Sequence, residues 1–211
     1  MLTRLNVFAL GLAIASPAAS QTSDQSAAAR AEGDRIIAAA EASDVVRNIS
    51  GDGVILVKHP ASGMVCRFDP AASRNNVRVY PVRPGVDDRG DDVGCGTTPD
   101  AAFTIYATRY RPAISVETAM TQAVEEIEGV WSDIKRLGIA TPAGAEDSGF
   151  AVFRGRHPNG QTLSTVVLVR QIGPWTFKMR ASGPPDQAEA LAQAAVEQFT
   201  AQIPQTATAS R

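Results

Sequence analysis

Residues 149–182 read GFAVFRGRHPNGQTLSTVVLVRQIGPWTFKMRAS and carry the clearest strand and turn pattern in the chain. Three apolar runs are separated by two turn signals, Pro158-Asn159-Gly160 and Gly173-Pro174, a pattern typical of an antiparallel meander. In the last run, from Trp175, large apolar residues alternate with polar ones, which predicts one buried face and one face that is wet or bound by a partner. We predict strands over residues 149–157, 161–172 and 175–182.

The meander is flanked by two predicted helices. Ser115 is a suitable N-cap for the first, with Glu117 in its first turn and Gly138 as a stop. Its apolar face recurs at helical spacing and comprises Val116, Met120, Ala123, Val124, Ile127, Val130, Trp131 and Ile134. The second helix opens at Pro184-Pro185 and buries Leu191, Ala195, Phe199 and Ile203.

A β-hairpin is predicted upstream, with strands over residues 54–59 and 64–69 around a Pro60-Ala61-Ser62-Gly63 turn. Its alternation predicts that Cys66 points inward. Further strands are predicted over residues 77–82 and 102–110. The intervening residues 84–100, which carry Cys95, are predicted to form a polar loop.

These elements predict an α+β fold: a single domain with an antiparallel sheet of six to seven strands and helices packed on it. The domain spans residues 51–204, after a loosely docked helical lead-in over 21–50 with its helix at 24–42, and before a flexible tail over 205–211. The order of elements, from Val54 through the helix at 115–137 to the end strand and closing helix, resembles the Mog1/PsbP-like fold. That resemblance implies an antiparallel sheet between helices and a non-catalytic binding or assembly-assisting role.

Residues 1–20 have the composition of an export signal. Arg4 provides the basic start, residues 7–15 are apolar, and small residues precede a cleavage site between Ser20 and Gln21. The apolar run is shorter than the roughly 20 residues that cross a bilayer, so we expect no membrane span after cleavage. The prediction is a soluble periplasmic or secreted protein.

The sequence contains two cysteines, Cys66 and Cys95. In an oxidising compartment an isolated pair favours a structural disulfide. A redox pair and metal ligation are the alternatives, but there is no C-x-x-C motif, and His59 and His157 do not have zinc-ligand spacing. We therefore predict a Cys66–Cys95 bridge.

Charge is distributed unevenly along the chain. The whole chain has a net charge of −2, which disfavours nucleic-acid binding. Between Gly149 and Pro185, however, every charged residue is basic, whereas the helix at 115–137 is rich in acids. These opposite charges either pair and solvate separate surfaces or form a patch for an anionic partner. The candidate patch residues are Arg154, Arg156, Arg170, Lys178 and Arg180.

Catalytic motifs are not apparent in the sequence. His59 and His157 each precede a proline, which predicts exposed turn histidines, and there is no G-x-S-x-G elbow to carry a nucleophile. The acidic residues of the 87–92 segment lack EF-hand spacing and are interpreted as a solvated loop. No cofactor or metal site is predicted.

Three functional hypotheses remain. The first is an exported, non-enzymatic module that binds an envelope protein or an anionic envelope polymer. The second is a small hydrolase that uses carboxylates such as Glu146 and Asp147 as acid and base. The third is a self-associating structural envelope protein. A deep polar cleft with buried carboxylates would favour the enzyme, and a shallow basic or aromatic surface would favour the binding module.

Overall fold

The computed structural model describes residues 18–72, 74–97 and 102–205. Within these ranges the chain forms three α-helices and two antiparallel sheets of three and seven strands. The helices are α1 Ala18–Ala39, α2 Val116–Glu128 and α3 Ala188–Gln202. The small sheet consists of β1 Arg47–Asn48, β2 Ile55–Lys58 and β3 Val65–Phe68. The α+β class is therefore confirmed.

The large sheet has the strand order β4-β5-β6-β10-β9-β8-β7. Its members are β4 Asn76–Val79, β5 Asp92–Thr97, β6 Ala102–Thr108, β7 Ser132–Leu137, β8 Gly149–Arg156, β9 Thr162–Ile172 and β10 Trp175–Gly183. The predicted meander is confirmed as β8, β9 and β10, which pair consecutively along almost their full lengths. These strands form one continuous antiparallel half of the sheet.

Two apolar clusters lie on opposite faces of the large sheet. The larger one joins α1, α3 and the small sheet to one face, with Trp175, Phe177, Met179 and Ala181 all buried in it as predicted. The smaller one joins α2 to the opposite face of β8 and β9. The sheet therefore lies between helices, with its main core on the α3 side.

The closing helix and the hairpin agree with their sequence patterns. Leu191, Ala195 and Phe199 face the core, together with Ile203 just beyond α3. In the hairpin, Met64, Cys66 and Phe68 are buried and the intervening residues are more exposed. Cys66 forms the predicted disulfide with Cys95, whose Cα atom lies 6.0 Å away.

The predicted 84–100 loop is wrong at its second half, because residues Asp92–Thr97 form β5 in the middle of one half of the sheet. Gly94 and Gly96 lower the strand propensity of this segment, and Asp92 adds a charge, so the usual alternation is hidden. Tertiary pairing with β4 and β6 supplies the missing stability. Cys95 thus lies on a paired strand.

The first long helix is shorter than predicted. The structure confirms Ser115 as N-cap, since its Oγ accepts the Thr118 N–H at 3.1 Å, but α2 ends at Glu128 with Gly129 as C-cap. Residues Ser132–Leu137 instead form the edge strand β7, paired with β8. Trp131 and Ile134 fit the helical period, yet the chain turns after Gly129, and Gly138 is not a helix stop.

Helix α1 packs directly on the rest of the molecule, in contrast to the expected loose lead-in. Ile36 and Ile37 are buried in the main core, and Asn48 donates a side-chain hydrogen bond to the Arg30 carbonyl at 2.8 Å. A Cβ atom on Gly33 would lie 2.6 Å from the Asn48 side chain, so the glycine permits this close approach.

The predicted export signal lies mainly outside the described residues, which begin at Ala18. The backbone of Ser20 and Gln21, on either side of the predicted cleavage bond, lies in the first turn of α1. No helix within the described ranges is long and apolar enough to cross a membrane. Cleavage stays a prediction, and the tail residues 206–211 also lie outside the described residues.

Candidate ligand-binding face

The α2 side of strands β4, β5, β6 and β10 presents polar and aromatic side chains beside the helix. Strand register places Arg78, Gly94, Tyr106 and Lys178 in one row across these four strands. The next row contains Asn76, Gly96, Thr104 and Arg180. Because alternate residues point to opposite faces, the intervening Val77, Cys95, Ile105 and Met179 belong to the core.

We call this surface the tyrosine face and define it by Arg78, Tyr80, Tyr106, Tyr110, Lys178 and Arg180. It contains all three tyrosines of the chain. They come from β4's end, the centre of β6 and the residues after β6, and each ring is partly exposed. An aromatic ring with a hydroxyl group offers both apolar contact and a hydrogen bond to a ligand.

Gly94 allows two of the tyrosine rings to approach the backbone of β5 closely. A Cβ atom at this position would lie 3.0 Å from the Tyr106 ring and 3.2 Å from the Tyr80 ring. The two ring centroids are 6.1 Å apart and tilted by 36°. The glycine therefore has a positional role, since a side chain there would displace the aromatic pair.

The environment of Tyr106 and Tyr110 raises the pKa of both side chains. Burial, followed by the neighbouring Tyr80, raises the pKa of Tyr106 to about 12. Burial and the Asp92 carboxylate raise the pKa of Tyr110 as well. Both hydroxyl groups thus retain a proton that can be donated to an acceptor.

Three basic residues surround the rings, and two of them share one acid. Lys178 Nζ lies 5.0 Å from the Tyr106 centroid and 3.0 Å from Oε2 of Glu126 on α2. Arg180 contacts the same Glu126 oxygen at 3.3 Å. Arg78 is exposed, and among the described residues its guanidinium has no ion-pair partner. One carboxylate against three cations leaves this part of the face positively charged.

The other end of the face is closed by a buried carboxylate. Asp92 is 4% exposed, accepts the Thr108 hydroxyl at 2.8 Å and pairs with Arg83. Its charge is therefore offset within the protein. The earlier interpretation of residues 87–92 as a solvated loop is wrong for Asp91 and Asp92, which are both buried and paired with arginines. Among the described residues no cluster of three metal-ligating side chains is present.

The five basic residues predicted as a patch are divided between the two faces of the sheet. Lys178 and Arg180 come together on the tyrosine face. Strand alternation places Arg154, Arg156 and Arg170 on the α3 side. Arg154 donates to the Pro185 carbonyl at 2.7 Å, and the other two approach Asp133 and Asp147 at 3.8 and 3.7 Å.

His59 is not an exposed turn histidine, as its position before a proline suggested, but is 1% exposed. Its Nδ1 contacts the buried Ser62 Oγ at 2.8 Å, and its ring lies edge-on to Trp175 with centroids 5.2 Å apart. Burial lowers the pKa of His59 to about 4, although the Asp91 charge acts in the opposite direction. The histidine and its serine partner are thus buried in the core, out of reach of a substrate.

The second histidine and the two candidate carboxylates lie at the surface. His157 is partly exposed and stacks edge-on against Trp131 at 5.3 Å. Glu146 accepts the Gly144 N–H, and such backbone hydrogen bonds lower the pKa of Glu146. Asp147 is almost fully exposed. These carboxylates do not converge on a cleft.

The sequence analysis identified Lys178 and Arg180 but missed the tyrosines, Arg78, and Gly94 beneath the aromatic rings. One signal was available, because Thr104, Tyr106 and Thr108 alternate with apolar residues along β6, and Tyr110 continues the same spacing. The lateral arrangement could not be derived, since β5 was interpreted as a loop. Strand β5 lies between β4, which Tyr80 follows, and β6, which carries Tyr106. Without β5, the sequence does not show that these two tyrosines are neighbours.

Comparison with known proteins gives distant structural likenesses. No protein-family model matches the chain, and no curated protein matches its sequence. One solved structure that it resembles is PA94 of Pseudomonas aeruginosa, a protein of unknown function, with a TM-score of 0.39 and 10% identity over 72% of this chain and 97% of that one. Another is LpqN, involved in cell envelope biogenesis of Mycobacterium tuberculosis, with a TM-score of 0.30 and 14% identity over 65% of this chain and 88% of that one. The Mog1/PsbP-like resemblance stays a prediction.

Proposed function

We propose that the protein is an extracytoplasmic, non-catalytic binding module that takes an anionic envelope polymer on the tyrosine face. The observation that carries this proposal is the row Arg78, Gly94, Tyr106 and Lys178 across four strands. In this row the Tyr106 ring packs over Gly94, and a cation stands at each end. The disulfide supports an extracytoplasmic location, because such bonds persist in oxidising environments.

The chemistry of the face fits an acidic carbohydrate. Ring faces of tyrosine pack on the apolar faces of sugars, while the retained hydroxyl protons serve as donors. Arginine pairs with carboxylate or phosphate groups through two parallel hydrogen bonds, and Arg78 is free to do so within the described part of the chain. An extended polymer suits a shallow surface that follows four strands.

A hydrolase is less well supported by the same geometry. Asp91 and Asp92 are engaged with arginines, His59 is sealed in the core, and Glu146 and Asp147 are exposed on a loop. General acid–base chemistry needs two such groups facing one substrate position. The binding role makes no such demand.

The test is binding of the purified protein to polygalacturonate oligomers, measured by calorimetry, with neutral dextran as the reference polymer. We expect Arg78→Glu to weaken binding about tenfold at low salt, and the difference to shrink at high salt as the Debye length falls toward about 3 Å at 1 M. Charge reversal at Lys178 and Arg180 should act in the same direction.

The matched control is Arg156→Glu, which makes the same charge change at an exposed position on the opposite side of the sheet. Equal losses in Arg78→Glu and Arg156→Glu would show an effect of net charge alone and contradict the proposal. Equal binding of polygalacturonate and dextran would also contradict it. Preference for an acidic peptide over polygalacturonate would replace the polymer by a protein partner.

A further inference from the structure

A cavity of about 590 Å³ lies on the core side of the sheet, between the β2–β3 hairpin, strands β5 and β6, and α3. It is separated from the tyrosine face by the sheet itself, because its lining residues Cys95, Ile105 and Met179 belong to the main core cluster. The volume equals that of about 20 water molecules. The cavity is partly open to solvent, and small-molecule sites have this size.

Most of the cavity wall is apolar, and polar groups are added by Arg67, Asp69, Thr97, Gln198 and Gln202. Phe68 and Met179 are buried, and Phe103 and Ile105 close the side formed by β6. Water in such a space would find few hydrogen-bonding partners along these walls. The favourable occupant is therefore a flexible hydrocarbon of up to about 20 non-hydrogen atoms.

Most of the polar side chains that line the cavity already form hydrogen bonds within the protein. Gln202 donates to Gln198 at 3.1 Å and accepts the backbone N–H of Arg67 at 3.3 Å. Asp69 accepts the Ala71 N–H at 2.8 Å. The guanidinium of Arg67 is exposed, and within the described ranges it has no ion-pair partner. Its free donors favour a carboxylate at the mouth.

We propose that this cavity binds a fatty acid, with the acyl chain against Phe68, Phe103 and Met179 and the carboxylate on Arg67. The disulfide contributes to the site, because Cys95 lines it and the bond to Cys66 ties the hairpin wall to the sheet wall. This proposal does not depend on the polymer-binding function, since the two sites share no residue.

The probe is laurate, with 1-dodecanol as the uncharged analogue of the same chain length. Native mass spectrometry and calorimetry should show one laurate per protein chain. Arg67→Glu should weaken laurate binding about tenfold and leave dodecanol binding nearly unchanged, because only the headgroup interaction is removed. Lys58→Glu is the matched control, as an exposed cation on the same hairpin that does not line the cavity.

A second variant, Gln198→Trp, places a large ring on α3 at the cavity and should reduce binding of both ligands. Its melting temperature reports whether the fold is retained, and Arg67→Glu tests the site if it is not. No laurate bound, or equal laurate affinity in Arg67→Glu and Lys58→Glu, would overturn the proposal. Neither outcome affects the test of polygalacturonate binding by Arg78→Glu. The two proposals can therefore be contradicted independently.

Discussion

At the residue scale, the adjacent acids Asp91 and Asp92, at the start of β5, point to opposite faces of the sheet. Successive side chains of a strand point in opposite directions. Asp91 turns toward Arg109, whose guanidinium lies 5.4 Å from the Trp175 ring in the main core. Asp92 turns toward Thr108 on the tyrosine face. The pair therefore anchors arginines on both sides of β5.

His59 should make the stability of the protein pH-dependent. The unfolded histidine titrates near 6.5 and the folded one near 4, so the unfolded state binds more protons between these values. Stability should fall as the pH drops through this window, by about 3 kcal/mol in total at about 1.4 kcal/mol per pH unit. His59→Asn should lose less stability than the wild type between pH 7 and pH 4.5.

Chemical denaturation at the two pH values measures this difference, and it cancels the acid effects that carboxylates exert in both proteins. The control is His157→Asn, which removes a partly exposed imidazole. If His59→Asn and the wild type lost equal stability over this range, the pKa of the buried imidazole would have to be near its ordinary value.

At the element scale, the region from Ser115 to Leu137 divides into a helix and an edge strand. The helical start is locally encoded by the N-cap, and the end is set by Gly129 and by pairing of β7 with β8. Asp133 has a positive φ of 55°, next to the register shift in that pairing. Strand β7 thus forms because pairing with β8 at the sheet edge is more favourable for these residues than continuing the helix.

Ser115→Ala should destabilise the protein by about 1 kcal/mol, because the N–H of Thr118 loses its side-chain acceptor at the helix start. Thr121→Ala is the control, since it also removes an exposed hydroxyl from α2 but places a better helix former in its interior. Urea denaturation of both variants measures the effect. Equal destabilisation would contradict a capping role for Ser115.

At the scale of the whole molecule, the disulfide joins the small sheet to the large one. Cys66 lies on β3 and Cys95 on β5, with a sequence separation of 29 residues. The two sheets also pack through α1 and the main core, so the bridge adds to existing contacts. Its location beside the cavity connects stability to the proposed ligand site.

Replacing both cysteines by serine should lower the free energy of unfolding by roughly 3–4 kcal/mol, since the unfolded chain regains the freedom of the open loop. Thermal unfolding of the wild type with and without a reductant provides the matched comparison. We expect reduction to lower the melting temperature of the wild type and to leave that of the double variant unchanged. A reductant effect on the double variant would point to another cause.

The elements that could be predicted from the sequence are those encoded by short local patterns. The meander, the hairpin, the Ser115 cap and the closing helix were predictable because turn residues, caps and apolar periods act over a few residues. Strand β5 was not, because Gly94 and Gly96 are poor strand residues, and their role depends on side chains from neighbouring strands: the Tyr80 and Tyr106 rings pack over Gly94, and Asn76 packs over Gly96. Of the site, Lys178 and Arg180 were found by charge alone.

The α+β class, the alternating core face of β10 and the pairing of the two cysteines could be predicted from the amino-acid sequence, because each depends on composition or short spacing. The three-dimensional fold was needed to show that the five basic residues separate onto two faces, that Tyr80 and Tyr106 pack together, and that His59 is buried. The physical reason is that lateral strand order, set by long-range pairing and by the disposition of whole elements on the sheet, determines which side chains become neighbours.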